Sequence, residues 1–372
     1  MPSLERRLRI GYLSPDFRNH PVPRYITPVL VCHDRSGFEV FCYSDVREPD
    51  AYTQRIRGHA DVWRDLIGLS NEAAAGQIRK DRIDILIDLA GHMDNPRTLL
   101  LAARAAPVQV AYCGYPATTG IEAVDYRITD EQVDPPGVSD RYYTEKLFRI
   151  PGCCWCCEPE ACPEVGPLPM QQTGHITFAV LNRLAKVRAR MIRLWAQVLK
   201  RTPGSRLMVL VARGAESESS IGRLFRENGI PPERLELVGR RSQEDYHRLF
   251  QRADIALDTF PYLGTTTTCD ALWMGVPTVT LEGQTCVSRS GVSILRAVGA
   301  GDWVASSPSQ YVEIALRLAG DPATLAAVRA SLRERVRRSP LMAYEALTRN
   351  LEGAYRTMWA RWCSDAGWHV AQ

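Results

Sequence analysis

Along the N-terminal half, short apolar runs alternate with longer stretches of helical period. RLRIGYL, FEVFCYS, IDILIDLAG and VQVAYCGYP read as strands; ITPVLVCHD, NEAAAGQIRKDR and TLLLAARAA read as helices. Such alternation predicts a parallel sheet covered on both faces. From Glu158 to Gly174 the chain (EPEACPEVGPLPMQQTG) loses periodicity and fills with Pro, Gly and Gln, the signature of a linker. Alternation then restarts at HITFAVLN. Met191, Leu194, Trp195, Val198 and Leu199 follow at helical spacing, and LMVLVAR resumes as a strand. RLELVG, DIALDTF, PTVTLEG and DWVAS are further strands, separated by the helical EDYHRLFQRA, TTCDALWMG and SGVSILRAVG, and beyond Asp321 the pattern is nearly all helical. The expected organisation is two doubly wound α/β domains, residues 1–157 and 175–345, joined by a linker at 158–174 and followed by a C-terminal helix at 346–372. Open sheets of this kind bind ligands at the carboxyl ends of their strands, so the chemistry is expected in a cleft between the halves.

A length of 372 residues suits two cores rather than one. The 46 basic and 42 acidic residues leave a formal charge of +4, too weak for a dedicated nucleic-acid binder but compatible with small anionic ligands. The N-terminus, MPSLERRLRIGYL, lacks the layout of a signal peptide, and no apolar run approaches the roughly 20 residues that span a bilayer. A cytoplasmic protein with no membrane partner is expected. Of eleven cysteines, Cys32, Cys42 and Cys113 sit in apolar runs, and five lie in GCCWCCEPEAC, from Gly152 to Cys162. A secreted disulfide framework does not fit. Four neighbouring thiolates can hold zinc, yet adjacent cysteines with one residue between the pairs match a C-x-x-C knuckle poorly and no second ligand pair follows. No metal or other cofactor is expected.

Four segments carry candidate chemistry. In DTFPYLGTTTTCDALWMGVP a strand runs through a Pro/Gly loop into four threonines and a helix. Unpaired N–H groups, the positive end of the helix dipole and hydroxyl donors suit a diphosphate there; a single cap needs only one hydroxyl. Asp270, shortly after the threonines, would repel a phosphate and fits a ribose or sugar hydroxyl, or the helix dipole. LSPDFRNHP brings Asp16 and His20 onto a strand-to-helix loop, where the pair can serve acid–base or anion chemistry, or the aspartate can cap the helix beside a surface histidine. In LNRLAKV, Lys186 follows the first strand of the second domain; it can reach a phosphate, or be a solvated lysine at a helix start. GYPATTG is another strand-to-loop transition, its small residues permitting close backbone approach. There is no GK[ST] signature and no G-x-G-x-x-G after a strand, so neither an NTPase nor a nicotinamide dehydrogenase is supported.

Together these segments resemble the catalytic region of the protein O-GlcNAc transferase and SPINDLY family, through LRIGYLSPDFRNHPV, IDILIDLAGH, APVQVAYCGYPATTG, VDYRITDEQVDPP, FAVLNRLAKV, DIALDTFPYLGTTTTCDALWMGVPTVTL and LEGAYRTMWARWC. The TTTTC and VDYRITD phrases are similar to bacterial SPINDLY-like members. The resemblance implies a GT-B fold: two Rossmann-like domains facing across a cleft, the first on the acceptor side, the second binding the nucleotide sugar, and C-terminal helices packing back on the first. It implies inverting, metal-independent transfer of GlcNAc from UDP-GlcNAc to Ser or Thr of a protein, the nucleotide sugar being a co-substrate. By the same resemblance Asp16, His20 and Lys186 are catalytic, Gly114, Lys186, Gly264, Thr265, Thr266, Thr267 and Asp270 bind the donor, and Arg183, Gln243 and Tyr246 fall at donor-binding positions. His20, Asp16 and a donor phosphate oxygen all stand as the base.

Some positions depart from the family pattern. Arg183 replaces a polar amide beside the expected donor site, Pro23 and Arg24 replace small and aromatic residues, and Gln243 and Tyr246 stand where animal O-GlcNAc transferases carry Lys and His. Two other readings stand: an O-fucosyltransferase using GDP-fucose, which the SPINDLY-like phrases suggest, and, from Arg183 and the altered first motif, an impaired module that only binds nucleotide sugars. Family members typically carry tetratricopeptide repeats ahead of this region, so acceptor recruitment is expected to draw on a repeat-bearing partner or a missing repeat region.

Overall fold

A computed structural model describes residues 5–211, 215–239 and 241–366. The chain divides into two compact units, one running to Glu158 and regaining the chain from Ala343 onward, the other Pro159–Met342. In the first, the strands are β1 (Leu8–Ser14), β2 (Phe38–Ser44), β3 (Val62–Asp65), β4 (Ile85–Asp88), β5 (Val108–Ala111), β6 (Tyr126–Thr129) and β7 (Lys146–Arg149). They pair in parallel in the order β3-β2-β1-β4-β5-β6-β7. The connecting helices are α1 (Pro21–Cys32), α2 (Ala51–Arg57), α3 (Asn71–Lys80) and α4 (Thr98–Ala102). Strand order reverses between β1 and β4, the place where an open α/β sheet leaves a crevice at its carboxyl edge.

The interior strands β4 (ILID) and β5 (VQVA) are buried throughout, as a sheet covered on both faces requires. Alternation in the sequence does not pick out β3, β6 or β7. The edge strands β3 (VWRD) and β7 (KLFR) mix charges with half-buried residues. In β6, Arg127 is buried because its guanidinium donates to the carbonyls of Tyr115 (2.8 Å) and Ala117 (3.0 Å). Helix α4 is shorter than TLLLAARAA suggests: the chain leaves it at Ala103 and Arg104 turns left-handed, with φ 46°.

The C-terminal helix, Tyr344–Asp365, belongs to this unit and packs on α1. A buried polar chain joins them: His33 lies 2.7 Å from the Tyr12 hydroxyl and 2.9 Å from Glu352, and Tyr12 lies 3.1 Å from the Tyr355 hydroxyl. The cysteine run is core. Cys153, Cys154, Trp155, Cys156 and Cys157 are all buried. Cys156 donates to the Tyr25 carbonyl, while Arg24, itself buried, reaches the Glu158 carbonyl at 3.1 Å and the Cys157 sulfur at 3.6 Å. The arginine that departs from the family pattern is therefore the clasp between α1 and this segment. Among the described residues, no group of three or more His, Cys, Asp or Glu is arranged to hold a metal.

In the second unit the strands are β8 (Thr177–Val180), β9 (Arg206–Leu210), β10 (Leu235–Val238), β11 (Ile255–Leu257), β12 (Thr278–Leu281) and β13 (Val304–Ala305). Again all are parallel, in the order β10-β9-β8-β11-β12-β13, with the reversal between β8 and β11. Helices α5 (Met170–Thr173), α6 (Ala189–Arg201), α7 (Ala215–Glu227), α8 (Gln243–Phe250), α9 (Thr266–Trp273), α10 (Ser290–Ala297), α11 (Pro308–Gly320) and α12 (Pro322–Arg337) complete it. The five apolar residues read at helical spacing all lie on the buried face of α6. The stretch read as a linker is tied down here: Arg333 donates to Pro163 O (2.8 Å) and the buried Arg329 to Gly166 O (2.9 Å). Two Rossmann-like sheets, each with one reversal of strand order, are what the expected GT-B fold requires. No described helix is long and apolar enough to cross a membrane.

Candidate functional site

In the second unit the candidate site is organised around a carboxylate. Asp258, just past β11 and buried, takes N–H bonds from Thr259 (2.8 Å) and Gly264 (2.8 Å) and an amide bond from Asn182 (3.1 Å) on its Oδ1. Its Oδ2 accepts the Thr280 hydroxyl. Burial pushes the Asp258 carboxyl up, against these bonds and the nearby Lys186. The result is a loop, 259–264, wrapped around one oxygen and delivered into α9. Gly264 fits closely there: a Cβ would sit 2.8 Å from Thr268 Oγ1, 3.1 Å from Asn182 Nδ2 and 3.2 Å from Asp258 Oδ1.

Thr265 is the N-cap of α9, and its side chain makes no capping bond. The first backbone bond of the helix is from Cys269 N to Thr265 O (3.0 Å), and the first turn of an α-helix directs its N–H groups outward along the axis. Thr265, Thr266 and Thr267 are half-buried, whereas Thr268 turns inward and donates to Gly264 O (3.0 Å). Such a helix end offers an anion both N–H donors and a favourable dipole.

Lys186 closes the tight turn Leu184–Lys186 after β8 and meets the same loop. Its Nζ donates to Leu263 O (2.8 Å) and lies 3.8 Å from the centroid of the Tyr262 ring. Burial lowers the ammonium to about 8; Asp258 opposes the shift and Arg183 adds to it. Arg183 is exposed at the start of that turn. Lys186, Gly264 and the threonines thus converge on one loop. Asp270 and the α8 residues are placed differently. Asp270, in the second turn of α9, is buried with its Oδ1 3.7 Å from Nε2 of the buried His247. Gln243 is exposed at the start of α8, and Tyr246 leans on the core, edge-on to Phe250 at 5.4 Å.

In the first unit, Asp16 and His20 come together on the loop after β1. Asp16 is buried, and its Oδ2 lies 3.7 Å from His20 Nδ1. His20, not the aspartate, is the N-cap of α1, its Nδ1 accepting from Val22 N at 3.4 Å, with Pro21 as the first helical residue. One nitrogen cannot do both jobs. As a cap, Nδ1 accepts and the neutral ring carries its proton on Nε2; turned toward Asp16, Nδ1 donates and Nε2 carries the basic lone pair.

Two neighbouring loops complete this edge. Asp88, the last residue of β4, accepts from Gly91 N (2.7 Å) and Ala90 N (3.3 Å), and burial raises it to about 6. Gly114 packs against that loop so closely that a Cβ would lie 2.0 Å from Leu89 O. Cys113 beside it has φ 73°, a strained setting for a residue with a side chain, and burial raises its thiol to about 12, which leaves it inert. His92 Nε2 is 2.6 Å from Thr119 O, and Glu145 fastens the same segment through Thr119 N (2.6 Å) and Thr118 Oγ1 (2.7 Å). A cavity of about 680 Å³ opens beyond β2 and β3, bordered by Arg47, Ile67 and the Asp45–Arg97 ion pair; none of the residues singled out from sequence lines it. Asp258, Asn182 and Asp88 are the contributors that sequence reasoning missed. Their only local signal is a polar residue at the end of a strand.

The family model described as glycosyl transferase family 41 matches residues 1–158 and 168–351. A probable UDP-N-acetylglucosamine–peptide N-acetylglucosaminyltransferase SPINDLY of Petunia hybrida is 41% identical over 368 residues, 96% of this chain and 39% of that protein. The corresponding probable transferase SEC of Arabidopsis thaliana is 33% identical over 371 residues, with 96% and 38% covered. The chain thus spans about two fifths of these relatives' length. Among solved structures, a lysine-to-methionine mutant of the Thermobaculum terrenum O-GlcNAc transferase superposes with a TM-score of 0.93 at 39% identity, covering 98% of this chain and 70% of that one. Anabaena HepE, in complex with UDP and glucose, shares the fold alone, with a TM-score of 0.58 at 10% identity over 94% of this chain and 100% of that one.

Proposed function

Because the chain belongs to glycosyl transferase family 41, we propose that it moves GlcNAc from UDP-GlcNAc to a Ser or Thr hydroxyl of a protein, with inversion and without a metal. The observation that carries this reading is the meeting of Lys186 Nζ and the N-terminus of α9 on the loop held by Asp258. The acceptor oxygen bonds to the anomeric carbon as the bond from that carbon to the β-phosphate oxygen breaks. Charge building on the departing diphosphate is met by the ammonium and the helix N–H groups, donors fixed before the reaction begins. The hydroxyl proton goes to His20 Nε2, to Asp16 or to a donor phosphate oxygen. GlcNAc is chosen because the relatives are named as transferases of that sugar to peptides. A tetratricopeptide-repeat partner or repeat region is the proposed route for recruiting the acceptor.

The SPINDLY-like phrases TTTTC and VDYRITD support a second reading, O-fucosyl transfer from GDP-fucose, and Gln243 and Tyr246, standing in place of the Lys and His of the animal enzymes, leave the choice of donor open. A transfer assay over a panel of nucleotide sugars, with chelator present and mass spectrometry of acceptor peptides, decides. GlcNAc addition that falls at least about a hundredfold in Lys186→Ala is the expected result. Fucose addition alone replaces the sugar, and no transfer from any donor leaves a binding module.

A further inference from the structure

Tyr262 has no place in the chemistry described so far, yet its position is unusual. It is a large aromatic left 43% exposed, and its ring lies 3.8 Å from Lys186 Nζ. The backbone on either side of the ring is fixed: Tyr262 O accepts the Thr259 hydroxyl (2.6 Å), and Leu263 N donates to Val287 O (3.1 Å) while Leu263 O receives Lys186 (2.8 Å). The ring is therefore held against the ammonium by a loop that Asp258 anchors at Gly264. We infer that Tyr262 is a positioning residue for donor binding: its π face keeps the Lys186 ammonium charged and aimed at the place where the diphosphate of a nucleotide sugar lies.

This rests on the assignment of Lys186 to the leaving diphosphate. An ammonium buried as Lys186 is tends to lose its proton, and burial brings it to about 8. The charged groups around it pull in opposite directions: Asp258 favours the ammonium and Arg183 opposes it. Farther along the loop, Arg190 faces Phe260 at 5.8 Å, so that cation is occupied by a neighbouring ring. The Leu263 carbonyl takes one of the three N–H donors of the ammonium. The ring face holds the cation through its quadrupole, which leaves N–H donors over for the ligand.

The test uses Tyr262→Phe, which keeps the π face, and Tyr262→Leu and Tyr262→Met, which keep apolar cover without it. The readouts are the pH profile of kcat/KM and calorimetric titration with UDP and with GDP, which needs no turnover. The unaltered protein and Tyr262→Phe are expected to share an alkaline limb near the value of about 8 set by Lys186. In the Leu and Met variants the limb should move down by about one pH unit, and nucleoside diphosphate binding above it should weaken about tenfold. Profiles of the Leu and Met variants that superpose on the unaltered one overturn the inference, as does an equal loss at every pH in all three variants. Lys186→Ala separates the two assignments. If it keeps the limb and the affinity, the role of Lys186 itself is wrong; if it loses both while Tyr262→Leu is normal, only the role of Tyr262 is.

Discussion

The two sheets end their switch-point strands in the same way, with a buried aspartate that gathers the following loop, and they differ in how completely that aspartate is satisfied. Asp258 receives two backbone N–H groups, an amide and a hydroxyl. Asp88 receives two N–H groups, one of them at 3.3 Å, and burial holds it near 6. A carboxylate surrounded by four donors is a rigid anchor that stays put when charge changes beside it. One with two donors can take up a proton in the mildly acidic range. Burial raises both carboxyls; what separates them is the tether, four donors on the post of the donor half and two on the one that backs Gly114.

The most severe way to break this contrast is Asp258→Ala. It strands four donors in a buried setting, at about 1–3 kcal/mol for each group left unmade. Even with partial relaxation, urea unfolding should show a loss of about 4 kcal/mol, and titration with UDP or GDP should show no binding. Asp258→Asn, which keeps one acceptor oxygen, should fall between. A loss under about 1 kcal/mol in the alanine variant would mean that the loop is held by something else.

Asp88 gives a pH signature instead. Its folded value of about 6 lies above the ordinary 3.8, so between those values the folded chain holds a proton that the unfolded chain has released. Its contribution to stability therefore falls as pH rises from about 4 to about 6 and stays low above that, by about 3 kcal/mol in total for a shift of this size. Asp88→Asn cannot titrate. The stability gap between the two proteins, followed by urea unfolding from pH 4 to pH 7, should swing toward the variant by about that amount. A constant gap would show that Asp88 is ionised throughout.

These anchors explain what could be read in advance and what could not. Helix α6 and the inner strands were legible because burial imposes a period on adjacent residues, and all five apolar positions read there face the core. The threonine loop was legible as a run of hydroxyls too long for capping. Asp258 was not, since its partners lie 1, 6, 22 and 76 residues away and only the folded sheet assembles them. The same holds for Asp270, whose neighbour His247 comes from another helix, and for the exchange by which His20 rather than Asp16 caps α1. The edge strands escaped because a half-buried strand with charges, such as VWRD, has no pattern that sets it apart from a loop.

The finest cut at the comparison is a pair of glycine substitutions, one beside each aspartate loop. At Gly114 an added Cβ would lie 2.0 Å from the carbonyl of Leu89, the residue after Asp88, and a backbone carbonyl held in a loop can yield only by moving the loop. At Gly264 the nearest atoms, Thr268 Oγ1 at 2.8 Å and Asn182 Nδ2 at 3.1 Å, belong to side chains that can rotate. Overpacking costs about 1–3 kcal/mol, so Gly114→Ala should sit at the top of that range and Gly264→Ala at the bottom. Function should rank the other way. A turned Thr268 or Asn182 disturbs the Asp258 anchor directly, so Gly264→Ala should weaken nucleoside diphosphate binding out of proportion to its small cost in stability. Thermal melting paired with UDP and GDP titration checks both orders at once, and a Gly264→Ala protein that binds normally would show that the anchor tolerates more play than four donors on one carboxylate imply.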